Sequence, residues 1–178
     1  FMPRKEIKRR TEELLEFCDL IKFRKRTVRK LSGGMKRKLM VCRALLTDPE
    51  ILLLDEPTAG MDALSRRQMW NLLRKLNGKN LTILLTTHYM EEAQNLCSRV
   101  ALMDHGKLEE VNTPAGLIDS LGNYTVDEFA GDETHSHYFH SREEAIAYLS
   151  GLSGQASLRE TTLEDVFVER AGRHLMPS

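Results

Sequence analysis

The clearest pattern in the chain is a run of apolar residues that stops at two adjacent carboxylates. Ile51 to Leu54 are aliphatic without interruption, and Asp55 and Glu56 follow directly. A short continuous apolar run is typical of a strand that is buried on both faces of a parallel sheet. Such sheets carry their chemistry at the carboxyl ends of their strands, so the pattern predicts a functional site here. An ordinary acidic turn after a strand is the alternative interpretation.

A second apolar run, from Leu81 to Leu85, also ends in polar residues. Thr86, Thr87 and His88 come directly after it. The pattern predicts another strand whose carboxyl end carries His88. A histidine in this position is either a structural residue or a catalytic one, and its own surroundings in the sequence do not decide between them.

Periodic apolar positions outside these two runs predict the remaining elements. Helical spacing occurs at residues 4–20, 63–76, 89–97, 142–149 and 161–170, and strand-like patterns occur at residues 99–104, 107–111, 123–129, 135–140 and 155–159. The helix at 63–76 suits the crossover between two parallel strands. This order predicts an α/β part at residues 1–121 and a small α+β extension at residues 122–178.

A glycine pair precedes another apolar helical pattern near residue 40. Ser32 can cap that helix, and Gly33 and Gly34 allow backbone N–H groups to approach an anion closely. The positive end of the helix dipole would favour a phosphate at this position. A simple turn or linker explains Ser-Gly-Gly equally well when it is taken alone.

Composition narrows the class of protein. The chain has 178 residues, of which 41% are hydrophobic and 29% are charged, and its formal net charge is +0. The zero net charge argues against a nucleic-acid binder that depends on bulk charge. Cys18, Cys42 and Cys97 lack paired or zinc-like spacing and predict reduced thiols in an intracellular protein. No apolar run approaches the length of a membrane span.

The order of the motifs resembles the ATP-binding cassette (ABC) ATPase family. Leu31 to Met35 matches the signature loop of the family, and Ile51 to Pro57 matches its Walker B strand. Ala59 to Asp62 matches its D-loop, and His88 matches its switch histidine. Four motifs in the family's order make a chance resemblance very improbable.

The resemblance implies ATP and Mg²⁺ as cofactors, with specific roles for the residues at the two strand ends. Asp55 would bind Mg²⁺ directly or through water, and Glu56 would be the general base. His88 would contact the γ-phosphate and help to hold the attacking water. ATPase activity is therefore expected of the intact protein.

The resemblance also implies a site shared between two subunits. Ser32, Gly33 and Gly34 would contact the γ-phosphate of ATP bound by the opposite subunit, and Asp62 would couple the two half-sites. The family has Gln where this chain has Met35. We expect this departure to be tolerated, since the backbone amides and Ser32 would make the phosphate contacts.

One motif of the family does not occur in this sequence. No Gly-x-x-x-x-Gly-Lys-Ser/Thr loop is present between residues 1 and 178. The chain therefore resembles the C-terminal part of a P-loop NTPase fold, with part of the helical subdomain and the small α+β extension. We expect the isolated chain to lack normal ATP binding and ATPase activity, and to expose apolar surface and a strand edge beside the Walker B strand.

Residues 162–167 indicate a particular subgroup of the family. Thr162 to Phe167 resembles an element near the end of ATPases that serve the type-two exporter group. This implies a subunit that powers a membrane permease, forms a homodimer or heterodimer, and lies at the cytoplasmic face of the membrane through that permease. Two alternatives are an ATPase lobe of a DNA-repair or chromosome-maintenance protein, and a non-catalytic fragment that dimerises or regulates.

Overall fold

The computed structural model describes residues 3–175, and it describes side chains up to residue 170. The chain forms two compact units, which divide between His88 and Tyr89. Each unit has more contacts within itself than with the other unit. The division lies before residue 121, where we expect the ATPase part of the chain to end. The boundary at residue 121 stays a prediction.

The first unit contains the helices and the parallel strands that the sequence predicts. Its elements are α1 (Arg4–Phe17), two 3₁₀ turns (Ile21–Phe23 and Val28–Lys30), α2 (Gly33–Leu45), β1 (Ile51–Asp55), α3 (Ala63–Asn77) and β2 (Thr82–Thr86). Helix α1 ends earlier than its apolar pattern predicts. Asp19 has a φ of 59°, in the left-handed region, which stops the helix just after Cys18.

Strands β1 and β2 form a parallel pair in which Asp55 lies opposite Thr86. The prediction that this strand is buried on both faces is wrong. Leu52 is buried, whereas Leu53 is 70% exposed and Leu84, on the same face, is 63% exposed. None of the residues that the structure describes covers this face. The exposed apolar row agrees with the uncovered surface that we expect beside this strand.

The second unit contains the rest of the elements. They are α4 (Met90–Leu96), β3 (Val100–Asp104), β4 (Lys107–Asn112), α5 (Pro114–Leu121), β5 (Tyr124–Ala130), β6 (Glu133–Phe139), α6 (Arg142–Gly151), β7 (Gln155–Glu160) and α7 (Leu163–Leu175). Strands β3 and β4 form an antiparallel hairpin, and β5 pairs with β6 and β7 in a separate three-stranded sheet. The core packs α4, α5 and α7 around Leu117, Leu163 and Val166.

Helix α5 is the one element of this unit that the apolar pattern does not predict. Thr113 caps it by accepting a hydrogen bond from the Gly116 N–H at 3.0 Å, and Pro114 occupies its first turn. Thr-Pro at a helix start is a recognisable signal, because proline needs no N–H there and has the φ of a helix. In the described part of the chain, no helix is both long enough and apolar enough to span a lipid bilayer.

Arg159 connects the three-stranded sheet to helix α7. Its guanidinium donates to Asp127 Oδ2 at 2.6 Å and to both oxygens of Asp165 at 2.7 Å. Asp165 also accepts from the backbone N–H and the hydroxyl of Thr162, as in a helix capping box. Burial raises the pKa of Asp165, but the hydrogen bonds from Arg159 and Thr162 outweigh this and hold that pKa below its usual value.

We predict that Arg159→Met lowers the stability of the protein, since it leaves Asp127 and Asp165 without their cation. Because the Arg159 side chain is 38% exposed, solvent screens the ion pairs, and we expect a loss of about 2 kcal/mol. Urea denaturation followed by circular dichroism measures this loss. Arg142→Met, at an exposed position in the first turn of α6, is the matched control and should leave stability nearly unchanged.

The loss should also depend on pH. A carboxyl group with a lowered pKa in the folded state stabilises the fold above its unfolded pKa, about 3.9 for Asp, and this contribution disappears as pH falls through the folded value. The difference between wild type and Arg159→Met should therefore be largest near neutral pH and shrink below about pH 4. A difference that stays constant from pH 7 to pH 3 would contradict this account.

Candidate functional site

The carboxyl ends of β1 and β2 lie side by side because the strands are parallel and in register. Thr86 Oγ1 donates a hydrogen bond to Asp55 Oδ1 at 2.5 Å, and the Thr86 carbonyl accepts from the Glu56 N–H at 3.1 Å. Thr86 thus holds both carboxylate-bearing residues. Sequence reasoning did not identify Thr86, although its position at the end of the second apolar run was a usable signal.

Glu56 leaves the strand with an unusual backbone conformation. Its φ is 46°, a backbone angle that residues other than glycine, asparagine and aspartate rarely adopt. The turn directs the side chain toward His88, whose Nδ1 lies 2.9 Å from Glu56 Oε1. If Glu56 is ionised, the proton must be on Nδ1, since a carboxylate can only accept. Strained backbone of this kind is often found at functional sites.

The second oxygen of the Glu56 carboxyl group is the most informative atom of the site. Glu56 Oε2 is buried and has no hydrogen-bond partner among the residues that the structure describes. Buried carboxylate oxygens normally have a partner, so an unpaired one is suited to receive a hydrogen bond from a water or ligand. His88 fixes one oxygen of Glu56 and leaves the other for that role.

The oxygen atoms at this strand end fit a small hard cation. Asp55 is exposed, and the Thr86 hydroxyl lies beside it. Mg²⁺ prefers oxygen ligands and commonly uses one or two carboxylates, with phosphate and water completing its shell. Among the side chains that the structure describes, which end at residue 170, no group of three or more His, Cys, Asp and Glu is placed to hold a metal ion. Asp55 is thus suited to supply one oxygen ligand of such a cation, with the other ligands coming from outside the described chain.

Ser32 begins helix α2 in the predicted way. Its Oγ accepts a hydrogen bond from the Met35 N–H at 3.2 Å. Met35 therefore contributes a backbone N–H to the cap, which does not depend on its side chain. A Cβ added to Gly33 would meet no atom within 4 Å, so packing within the described chain does not demand glycine at this position.

Asp62 begins helix α3 and is linked to the glycine loop. It accepts hydrogen bonds from the Ser65 N–H at 2.9 Å and from Ser65 Oγ at 2.7 Å, and these bonds hold the pKa of Asp62 below its usual value. A Cβ on Gly34 would lie 3.2 Å from Ser65. Ser65, which sequence reasoning missed, therefore connects Asp62 to Gly34. The Asp-x-x-Ser capping spacing was the signal that could have found it.

The predicted site residues thus form two groups. Asp55, Glu56 and His88 meet at the ends of the parallel strands, together with Thr86. The other group lies at the starts of two helices and contains Ser32, Gly33, Gly34 and Asp62. The hydrogen bonds described above stay within each group. The two groups can therefore act on different phosphate groups, one at the strand ends and one at the helix starts.

Known proteins with similar sequences are ATP-binding proteins of ABC transporters and exporters. A family model described as "ABC transporter" matches residues 3–59. The Nod factor export ATP-binding protein I of Cupriavidus pinatubonensis is 40% identical over 95% of this chain. The protein of the same name from Rhizobium meliloti is 38% identical over 98% of this chain. The chain spans 58% of the length of each of these two relatives.

Solved structures agree with the sequence relatives. An ATP-binding cassette of an ABC transporter in its ADP conformation matches with a TM-score of 0.60 and 26% identity, over 63% of this chain and 44% of that chain. CbiO1 from Clostridium perfringens, part of the ABC transporter complex CbiONQ, matches with a TM-score of 0.62 and 26% identity, over 66% of this chain and 47% of that chain.

We predict that Ser32→Ala destabilises the first unit by about 1 kcal/mol, because it removes the N-cap of α2. Ser32→Asp is the matched variant. An aspartate caps a helix as well as a serine does, and its charge is favourable at the helix start, so stability should stay within about 0.5 kcal/mol of wild type. Urea denaturation measures both. Equal losses in the two variants would show that Ser32 does not act as a cap.

Proposed function

Because the chain belongs to the ABC transporter ATPase family, we propose that it is part of a subunit that hydrolyses ATP to power a membrane permease. The observation that carries the proposal is Glu56 at the end of β1, with one carboxylate oxygen bound to His88 and the other buried without a partner in the described residues. The Nod factor export proteins support export as the direction of transport.

Glu56 is the proton acceptor in this mechanism. The chemistry that Mg²⁺ and ATP supply when bound is a γ-phosphoryl group polarised for attack by water. Glu56 Oε2 accepts a hydrogen bond from that water and then its proton, while His88 prevents the carboxyl group from rotating away. Asp55, which accepts a hydrogen bond from the hydroxyl of Thr86, would hold the cation.

The glycine loop contacts nucleotide held by the opposite subunit. Ser32, Gly33 and Gly34 lie at the start of α2, where the helix dipole and the backbone N–H groups favour an anion. A Cβ on Gly33 would meet no atom of the described chain, so this position is open to a group from outside it. Asp62 and Ser65 support this loop from the start of α3 and couple it to the other half-site.

The partners follow from the same proposal. The subunit forms a homodimer or heterodimer with a second ATPase subunit, binds a transmembrane permease, and lies at the inner face of the membrane only through that permease. No nucleic acid is involved. The names of the similar proteins support transport rather than DNA repair or chromosome maintenance.

We predict that Glu56→Gln lowers ATP turnover by at least about 100-fold in a longer chain that includes the phosphate-binding loop of the family. The amide cannot take a proton from water, but it keeps the size of the side chain and can still contact His88. Nucleotide-driven dimerisation should therefore be preserved or strengthened. Phosphate release and analytical size exclusion with ATP measure the two effects.

The matched control for this variant is Glu50→Gln, which changes a carboxylate just before β1 and outside the site. It should leave turnover unchanged. If Glu56→Gln lost nucleotide binding in proportion to turnover, Glu56 would have a structural role and the assignment of a general base would fail.

We also predict that Gly33→Asp abolishes hydrolysis in trans. An added carboxylate would oppose the γ-phosphate at close range, and a like-charge contact in a partly desolvated site costs several kcal/mol, of order 4. Nucleotide affinity of the monomer should be nearly unchanged. Gly33→Ala is the control for folding, since its Cβ has space.

Mixed dimers decide whether the effect acts across the interface. When the Gly33→Asp chain is paired with a chain that cannot bind nucleotide, the sole ATP faces an intact loop, and hydrolysis should continue. When both changes are placed on the same chain, the ATP on the wild-type partner faces the altered loop, and hydrolysis should stop. The reverse result would show that Ser32, Gly33 and Gly34 act on the ATP of their own chain.

A further inference from the structure

Two cysteines that are distant in sequence meet between helices α1 and α2. The Cys18 N–H and the Cys42 thiol both donate to the carbonyl oxygen of Leu14, at 3.0 Å and 3.4 Å. Because they share this carbonyl group, the two side chains lie next to each other, and each influences the pKa of the other. Sequence spacing gave no indication of a pair, because it does not show which helix faces pack together. Both cysteines are free in this structure.

The pair is buried but lies beside a small cavity. Cys18 is 1% exposed and Cys42 is 4% exposed. Cys18 also lines a cavity of about 110 Å³, together with Lys38, Gln68 and other residues of α1, α2 and α3. A molecule of water occupies roughly 30 Å³ of liquid, so a cavity of this size has room for a small hydroperoxide.

We propose that Cys18 and Cys42 are a redox modification site, at which a hydroperoxide converts the two thiols to a reversible intrachain disulfide. None of the residues assigned to the ATPase site contacts this pair, and the test of the proposal does not depend on nucleotide hydrolysis. The contacts of the Cys18 N–H and the Cys42 thiol with the same Leu14 carbonyl group, and the cavity beside Cys18, carry the proposal.

The electrostatics of the pair favour ionisation of Cys42 over ionisation of Cys18. The hydrogen bond with Cys18 lowers the pKa of Cys42, against the effect of burial, and the charge of Lys38 also lowers it. The same hydrogen bond and burial raise the pKa of Cys18. The thiolate is the nucleophile in thiol oxidation, so a shared proton with a cation nearby prepares the pair for reaction.

The reaction balances without a further reagent. One sulfur attacks a peroxide oxygen, the O–O bond breaks, and the products are a sulfenic acid and one molecule of water or alcohol. The second sulfur attacks the first, the S–O bond breaks, and its oxygen leaves as water with the proton of the second thiol. The pair loses two electrons and two protons in total, and the hydroperoxide accepts both.

The third cysteine provides an internal control. Cys97 lies in the other compact unit, and burial raises its pKa, as does the charge of Glu92. Within the described part of the chain, no other thiol lies beside Cys97. Cys97 is less buried than the pair, but it has no thiol beside it to lower its pKa or to capture a sulfenic acid, so we expect it to stay reduced while the pair is oxidised.

The test is peptide mapping of the folded 178-residue chain after brief treatment with hydrogen peroxide. Free thiols are alkylated, and the protein is digested with trypsin without reduction. The expected product is a crosslink between peptides 11–22 and 39–43, two hydrogen atoms lighter than the separate peptides together. Thiol titration should show a loss of two thiols per chain, with Cys97 still alkylated, and dithiothreitol should restore both.

Thermal unfolding supplies a second measurement. The crosslink closes the loop between Cys18 and Cys42 and restricts the unfolded chain, so oxidation should raise the unfolding temperature of the first unit by on the order of 10 °C. Reduction should reverse the shift. Cys97→Ser should behave as wild type, whereas Cys18→Ser and Cys42→Ser should show no shift and should accumulate sulfenic acid at the remaining cysteine, trapped by dimedone.

The mapping on the unmodified chain does not depend on whether the serine variants fold. Absence of the 11–22 to 39–43 crosslink, or its appearance only after the protein is unfolded, would overturn the proposal. Oxidation of Cys97 at the same rate as the pair would also overturn it, because the reaction would then reflect general thiol chemistry and not this site.

Discussion

The parallel register of β1 and β2 is the constraint on which the candidate site depends. It places Asp55 opposite Thr86, so that the last residues of the two strands leave the sheet together. Thr86 then binds Asp55 through its hydroxyl and Glu56 through its carbonyl group. A shift of one residue would move every side chain of the strand to the other face and would separate Glu56 from His88. Helix α3 makes this register possible, because it supplies the crossover that parallel strands require.

Helix capping sets the position of the second group of residues. The hydroxyl of Ser32 and the carboxylate of Asp62 each accept a hydrogen bond from the first turn of their own helix. Ser65 completes the connection, since it binds Asp62 and lies against Gly34. Local interactions thus fix both helix starts. The same caps leave backbone N–H groups at the start of α2, where the dipole favours an anion.

The sequence predicts the elements better than it predicts their surroundings. The apolar run before Asp55 correctly gave β1, and the α/β fold of an ABC ATPase cassette is confirmed by the solved structures that the chain matches. Burial on both faces was wrong, because periodicity does not show what covers a strand, and Leu53 is largely exposed. Helix α5 was missed because its signal lies in the cap and the proline rather than in an apolar period. The meeting of Cys18 with Cys42 depends on tertiary packing, which no local pattern encodes.

The central claim is that Glu56 and His88 act as one unit, with the histidine orienting the carboxylate that receives a proton. A double-mutant cycle in a longer chain with the phosphate-binding loop tests this most directly. ATP turnover is measured for Glu56→Gln, for His88→Ala and for the two together. If the residues act as a unit, the double variant should be no slower than Glu56→Gln alone, because the orienting contact has no value once the base is lost. Losses that multiply in the double variant would contradict the account and would mean that the two side chains act independently.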